Sequence, residues 1–335
     1  MATDTMATDT MATKVTKVVI TDHEFVDLEP ERAILAPLGC ALEAGQCRTA
    51  EDVAALAADA DYVITQFAPV SAAAIEEMRR ARMIVRYGVG VDNVDLDAAA
   101  RGGIPVFNVP DYCIDEVADH TLALMLALTR QIVPVALNVR AGRWTTRPPV
   151  HEFHALRDMT VGVVGCGRIG REVIRRLAPF KARVLAYDPL LEAGAEQAPG
   201  CERATLDEIW AHSDVVTLHV PSTAETRHLI DGETLARMKD GALLVNVSRG
   251  AIVDTAALIA ALQSGKVAGA ALDVTDPEPI EDDSPLLRMD NVIITSHVAS
   301  VSAQAARELR ARVANTVARA IRGEPLPPSV NGVPA

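Results

Sequence analysis

The chain has 335 residues, 49% of them hydrophobic, a size and apolar content that predict two cored domains. Its formal net charge of -13 excludes a nucleic-acid backbone as the main partner, because neutralising phosphates needs clustered Lys and Arg. A small anionic substrate is still admitted, since one local Arg holds a carboxylate.

The first residues repeat as Met1-Ala-Thr-Asp-Thr, Met6-Ala-Thr-Asp-Thr and Met11-Ala-Thr. They have neither a basic n-region nor an apolar h-region, so they are no signal peptide. They read as a disordered leader over 1–13, with the true start open among Met1, Met6 and Met11. Short β-branched runs then alternate with helical patterns, which predicts α/β architecture with largely parallel sheets. In the first block the expected strands are Lys17–Ile20, Tyr62–Thr65, Met83–Val85 and Pro105–Asn108. Helices are expected at Glu51–Ala58, Ser71–Ala81 and Leu96–Arg101. Tyr87-Gly-Val-Gly-Val-Asp-Asn93 follows a strand but lacks the third glycine of a nucleotide fingerprint. Its Gly88 and Gly90 either let backbone N–H groups approach a ligand or form an ordinary tight turn.

A long helix starts near Asp115, with Asp115 and Glu116 suiting its first turn. Its longest apolar run, Leu122–Leu128, is too short to cross a bilayer, so no membrane association is expected. The proline-bearing stretch Arg143–His151 reads as irregular. The second block opens at Thr160, with a helix over Arg171–Leu177 and strands at Arg183–Tyr187, Val215–His219, Leu243–Val247, Ala268–Asp273 and Val292–Thr295. A final helix over Ser302–Ile321 places Ala306, Leu309, Val313, Val317 and Ile321 on one stripe.

Gly165-Cys-Gly-Arg-Ile-Gly170 is G-x-G-x-x-G between a strand and a helix, with Asp188 18 residues beyond Gly170 at the end of the next strand. In that context Gly165 permits the tight turn, Gly167 lets backbone approach a pyrophosphate, and Gly170 permits close helix–strand packing. The helix N-terminus favours phosphate. Asp188 accepts from ribose hydroxyls and repels a 2′-phosphate, and Pro189 rather than Arg follows it. NAD (NADH) is therefore favoured over NADP.

Three charged residues follow expected strands: Arg249, Glu278 and His297. Ligands in open α/β sheets bind outside the carboxyl ends of strands, so these three are candidates to converge. Reducing a 2-keto acid needs a cation for the carboxylate and carbonyl, a proton donor, and a group that tunes the donor. Arg, His and a carboxylate suit those needs. Each also has a plainer reading: a surface Arg, a strand-end His, and one member of an acidic loop. The five cysteines form no CxxC pair and fit neither a disulfide framework nor a zinc site. No metal and a reducing cytoplasm are expected.

At these residues the chain resembles the D-isomer-specific 2-hydroxyacid dehydrogenase family, over nearly all of its length after the leader. The matching text is Gly165–Gly170, Leu218-His-Val-Pro-Ser-Thr223, Leu244-Val-Asn-Val-Ser-Arg-Gly-Ala-Ile-Val-Asp254, Gly269-Ala-Ala-Leu-Asp-Val274 and Thr295-Ser-His297. The resemblance implies that Arg249 binds and polarises the substrate, His297 donates or accepts the proton, and Glu278 pairs with His297. It implies that Asp273 contacts the nicotinamide amide. It further implies cofactor contacts at Arg168, Ile169, His219, Pro221, Thr226, Val247, Ser248 and Ser300. Gly88-Val89-Gly90 is similar to the family's backbone clamp for a substrate carboxylate, and Arg143–His151 to part of the arm through which members form homodimers. The segments Arg86–Asn93 and Asn108–Asp119 are most similar to phosphoglycerate-dehydrogenase-like and C-terminal-binding-protein-like members. One departure is Thr275, where the family usually has an aromatic.

The expectation is two Rossmann-like domains, the substrate domain flavodoxin-like and discontinuous (14–112 and 300–330) and the NAD-binding domain over 113–299. The expected activity is interconversion of a small D-2-hydroxy acid and its 2-keto acid. Gln66, Phe67, Tyr112 and His120 are candidate pocket walls. The rival readings are an NAD(H)-sensing, corepressor-like protein with vestigial catalysis, and a formate or phosphite dehydrogenase. Formate enzymes of the family pair the histidine with Gln, whereas Glu278 stands here.

Overall fold

The computed structural model describes residues 15–144, 149–190 and 200–334. The leader and positions 145–148 of the expected dimer arm lie outside the described residues. The chain divides into two compact units, Met1–Tyr112 with Ala306–Ala335, and Cys113–Ala305. The second boundary falls between Ala305 and Ala306, six residues beyond the expected crossing at 299/300.

The first unit is built from β1 (Lys17–Ile20), α1 (Glu29–Leu35), β2 (Ala41–Ala44), α2 (Ala50–Ala57), β3 (Tyr62–Thr65), α3 (Ala72–Glu77), β4 (Ile84–Arg86), α4 (Leu96–Arg101) and β5 (Val106–Phe107). Its sheet runs β2-β1-β3-β4-β5, parallel throughout. That is the flavodoxin-like order. The strands are apolar on both faces because both are covered. Val18, Ile20 and Ile64 pack in one cluster with Leu35 of α1. Val19, Val63 and Ile84 pack in another with Val53, Ile75 and Ala99 of α2, α3 and α4. Two elements escaped the sequence reading. β2 reads Ala-Leu-Glu-Ala, with no β-branched residue; pairing with β1 makes it a strand despite its low propensity. α1 is seven residues long and has no side-chain cap, so it carries little local signal.

The second unit begins with α5 (Ile114–Thr129) and α6 (Ile132–Arg140). There follow β6 (Thr160–Val164), α7 (Arg168–Leu177), β7 (Arg183–Tyr187), β8 (Glu202–Arg203), α8 (Leu206–His212), β9 (Val215–Leu218), α9 (Gly232–Arg237), β10 (Ala242–Asn246), α10 (Thr255–Ser264), β11 (Val267–Leu272) and β12 (Val292–Ile294). The sheet order is β12-β11-β10-β9-β6-β7-β8, again parallel. Counted from β6 it is the Rossmann order with a seventh strand, and the order reverses between β6 and β9. Ile209 and Trp210 of α8, Leu235 of α9 and Leu258 of α10 cover one face, while α5 packs against α7, β10 and β11. The sequence reading missed α6, β8, α8, α9 and α10. Two of these carried legible start signals: a Thr205/Glu208 capping box before α8 and Asp254 capping α10. It also started α7 three residues late.

The last helix, α11 (Ala303–Arg322), is capped by Ser302, whose hydroxyl accepts the Ala305 N–H at 2.9 Å. Its expected stripe is seen at Leu309, Val313 and Val317, buried with β1, β3 and β4 of the first unit. Among the described residues no single helix is long and apolar enough to cross a membrane.

Candidate active site

The β-branched run of β6 ends at Gly165, whose φ is +98°. A Cβ there would stand 2.6 Å from the His219 carbonyl oxygen, so the loop after β6 lies on the backbone end of β9. A Cβ on Gly170 would stand 2.0 Å from the Gly165 carbonyl oxygen; only glycine lets α7 rest on this turn. Gly167 differs, for a Cβ there would meet nothing within 4 Å. Gly167 is the N-cap of α7 and no side chain caps the helix, so the first-turn amides at Arg168 and Ile169 face no protein acceptor from a cap. Open space at Gly167 and an uncapped N-terminus fit a dinucleotide pyrophosphate.

Asp188 follows β7 as expected. Its Oδ2 accepts the Cys166 N–H at 2.7 Å and its Oδ1 the Leu190 N–H at 2.8 Å. The carboxylate therefore braces the Gly-rich loop from behind, a role not read from the sequence. Cys166 points inward, and burial, helped by the Asp188 charge, pushes its thiol up to about 12. It is a packing group and no nucleophile.

The loop after β9 carries His219, Pro221 and Thr226. His219 Nε2 lies 3.0 Å from Thr217 Oγ1. The ring is partly accessible, yet it is hemmed in closely enough that desolvation pushes its pKa down to about 3, so it is neutral. The Thr226 hydroxyl donates to the Pro221 carbonyl at 2.6 Å and accepts the Thr223 N–H at 2.8 Å, closing this loop. After β10, Val247 is buried, and Ser248 Oγ donates to the Leu218 carbonyl at 2.7 Å, tying this strand end to β9.

Arg249 follows. Its Nη1 donates to the Ser248 carbonyl at 2.7 Å, and Asn246 Nδ2 donates to the Arg249 carbonyl at 2.8 Å. The next residue, Gly250, packs against the backbone of Thr275 and Asp276 so closely that no Cβ would fit. That contact puts the Arg249 loop onto the Glu278 loop. His297 Nδ1 lies 2.5 Å from Glu278 Oε1. Burial raises the Glu278 carboxyl, but the His297 hydrogen bond and charge, the Thr275 amide and the Arg249 charge outweigh it and hold it below its usual value. The three residues thus share one end of one sheet, and Arg249 and His297 both act on the Glu278 carboxylate.

Asp273 directly follows β11 and is 1% exposed. Its carboxylate accepts Thr295 Oγ1 at 2.5 Å and the Val298 and Ala299 N–H groups at 3.0 and 2.9 Å. Ser300 lies in the turn just after. Within the first unit, Gly88 has a φ of +143°, and its carbonyl accepts the Val109 N–H at 3.0 Å. The neighbouring Val89 carbonyl accepts Asn108 Nδ2 at 2.5 Å. The Gly88 and Val89 carbonyls are thereby turned to the protein, and the Gly88 N–H of the expected clamp donates to the Arg86 carbonyl at 3.0 Å. The Gln66 carbonyl accepts Arg86 Nε at 3.1 Å, and Asp22 Oδ2 accepts the Phe67 N–H at 2.6 Å, fixing that candidate pocket wall. The sequence reading did not single out Gly250 or Asn246; the Ser-Arg-Gly step within the family text was the available signal. Among the described residues no group of three or more His, Cys, Asp or Glu is placed to hold a metal.

Residues 122–299 match the family described as D-isomer specific 2-hydroxyacid dehydrogenase, NAD binding domain. The chain is 40% identical to D-3-phosphoglycerate dehydrogenase of Archaeoglobus fulgidus over 80% of this chain, and spans about half, 51%, of that relative's length. It is 41% identical to glyoxylate reductase of Korarchaeum cryptofilum, over 78% of this chain and 79% of the relative. The D-lactate dehydrogenase of Aquifex aeolicus, solved with NAD and lactic acid, superposes with a TM-score of 0.83 at 30% identity, covering 92% of this chain and 96% of that one. These relatives do not favour the corepressor-like reading. With the Gly-rich turn at the strand-order reversal and the Arg, Glu and His on the same sheet end, the chain belongs to the D-isomer-specific 2-hydroxyacid dehydrogenase family, whose members use NAD.

Proposed function

We propose that the protein reduces a small 2-keto acid to its D-2-hydroxy acid, and catalyses the reverse, with NAD(H) as redox partner. The observation that carries this reading is the 2.5 Å contact between His297 Nδ1 and Glu278 Oε1 beside the Arg249 charge. NADH, when bound, supplies a hydride to C2 of the keto acid. The cofactor would be held by Gly165, Gly167, Arg168, Ile169 and Gly170 at its pyrophosphate and by Asp188 at its ribose. His219, Pro221, Thr226, Val247, Ser248, Asp273 and Ser300 would line the rest. The negative charge of Asp188, with Pro189 behind it, favours NAD over NADP.

Arg249 holds the substrate carboxylate and polarises the C2 carbonyl, a task for a planar and permanently charged fork. As negative charge develops on the carbonyl oxygen, the His297 imidazolium transfers its Nε2 proton to it. Glu278, ionised and accepting at Nδ1, keeps Nε2 directed at substrate and supports the positive ring before transfer. In the oxidative direction neutral His297 removes the hydroxyl proton.

A homodimer is proposed on separate grounds. α6 is largely apolar and buries none of its residues; Ile132, Leu137 and Val139 stand exposed, as do Val150 and Trp144, the last at 90%. A second copy of this chain would cover that surface. None of the five cysteines is in a disulfide, which suits a reducing cytoplasm.

The deciding experiment is NADH oxidation over glyoxylate, hydroxypyruvate, pyruvate, phenylpyruvate and longer keto acids, with product chirality measured on each hit. Formate and phosphite with NAD belong in the same panel. Turnover of a keto acid to its D product supports the reading. NADH binding without turnover of any keto acid overturns it.

A further inference from the structure

His297 is one of four non-glycine residues with positive φ among the described residues, at +55°. A residue with a Cβ stays there only when its surroundings hold it. Here one residue does most of the holding. The Asp273 carbonyl oxygen accepts the His297 N–H at 2.8 Å. Its Oδ1 accepts the Val298 N–H at 3.0 Å and its Oδ2 the Ala299 N–H at 2.9 Å. Three successive amides, starting at His297, converge on a single aspartate.

That aspartate is in turn placed by two side chains. Thr295 Oγ1 donates to Oδ1 at 2.5 Å. His120, on α5, brings Nε2 to 3.1 Å from Thr295 Oγ1 and 3.5 Å from Asp273 Oδ1. A hydroxyl has one proton. With that proton on Asp273, Thr295 Oγ1 only accepts from His120, so His120 carries a proton on Nε2. The chain of bonds runs in one direction, from a helix, through a hydroxyl, into a buried carboxylate and on to the backbone of His297.

We propose that His120 and Thr295 are positioning residues for His297: through Asp273 they fix the turn that delivers Nδ1 to Glu278. The inference rests on the assignment of His297 as proton donor. It adds to Asp273, beyond any contact with nicotinamide, the task of holding the histidine turn. It also gives His120 a part in catalysis without contact with substrate.

Three full-length variants test it. Thr295→Val keeps the side-chain shape and removes the hydroxyl. His120→Leu removes the donor. His120→Gln restores an N–H near the place of Nε2. Each is compared with wild type for kcat and KM on a keto acid that the wild type reduces, for NADH Kd by fluorescence, and for Tm. Proton NMR reads the far-downfield resonance that a short imidazole–carboxylate hydrogen bond produces. Thr295→Val and His120→Leu are expected to lose about tenfold or more in kcat, as a displaced catalytic group does. Their NADH Kd should stay within about twofold and the downfield resonance should weaken, while His120→Gln recovers most of both. Unchanged kcat and resonance in Thr295→Val and His120→Leu, whatever their Tm, would overturn the proposal and leave the dehydrogenase reading standing. A His120→Gln no better than His120→Leu also overturns it. If the wild type turns over no keto acid, the dehydrogenase reading fails instead, and the resonance alone decides whether the turn is held in this way.

Discussion

A Cβ placed on Gly250 would stand 1.9 Å from the Thr275 carbonyl oxygen. The loop that carries Arg249 therefore lies directly on the backbone of the loop that carries Glu278. Cation and carboxylate are spaced by a main-chain contact and not by their own flexible side chains. Gly250→Ala must push the loops apart. Its kcat/KM is expected to fall about 100-fold, with a loss of about 1–3 kcal/mol in stability from the overpacking. Turnover and a urea midpoint measure both, and wild-type turnover in this variant would show that the two loops need not meet.

Removing the imidazole should separate chemistry from binding. His297→Ala is expected to lower kcat by about 10²–10⁴-fold, the usual worth of a general acid, while NADH Kd shifts by no more than about twofold. Single-turnover kinetics with fluorescence titration distinguish these. Unchanged turnover would remove His297 from the mechanism.

Cofactor choice depends on the charge at Asp188. Asp188→Asn keeps an oxygen for the Cys166 N–H, which now bonds at 2.7 Å, and removes the repulsion of a 2′-phosphate. The ratio of kcat/KM for NADH over NADPH is expected to fall about tenfold or more, or about 1.4 kcal/mol. A ratio that does not move would place the discrimination elsewhere.

The neutral ring of His219 sets an acid dependence of stability. Its folded pKa is about 3 against an ordinary 6.5. Between these values the unfolded chain binds a proton that the native chain does not, so stability is present above pH 6.5 and drains away as pH falls towards 3. The slope from this one group is at most about 1.4 kcal/mol per pH unit. Tm measured from pH 7.5 to 5 should fall less steeply in His219→Gln than in wild type; parallel curves would count against a desolvated, neutral ring.

Assembly is tested at α6. Ile132→Asp with Leu137→Asp puts two charges on the exposed apolar surface. Light scattering is expected to show a dimer mass for wild type and half of it for the double variant. A wild-type monomer at micromolar concentration would sink the proposed dimer.

Legibility in the sequence followed the origin of each signal. β6, β3 and β7 were plain because a buried parallel strand needs an unbroken apolar run, and the Gly165–Gly170 turn was plain because close backbone packing admits only glycine. β2 and the two-residue β8 were not, since an edge strand of weak propensity becomes a strand only through its neighbour. α8 and α10 were legible and overlooked: the Thr205/Glu208 capping box and Asp254 stand in the text. Arg249, Glu278 and His297 were chosen for their chemistry and for lying after strands, whereas the bracing of the Gly-rich loop by Asp188 had no signal in spacing.

Alternating apolar runs, turn glycines and cap residues determine locally which segments become strands and helices, so the two parallel α/β units, the nucleotide turn and the roster of charged groups could be written down from the amino acids in order. What folding in three dimensions alone decided is contact between residues far apart in the chain. Gly250 meets Thr275, Glu278 meets His297, and His120 reaches Thr295. The reason is physical: parallel strands joined by long crossovers bring their carboxyl ends side by side, and no local propensity records which side chains will then touch.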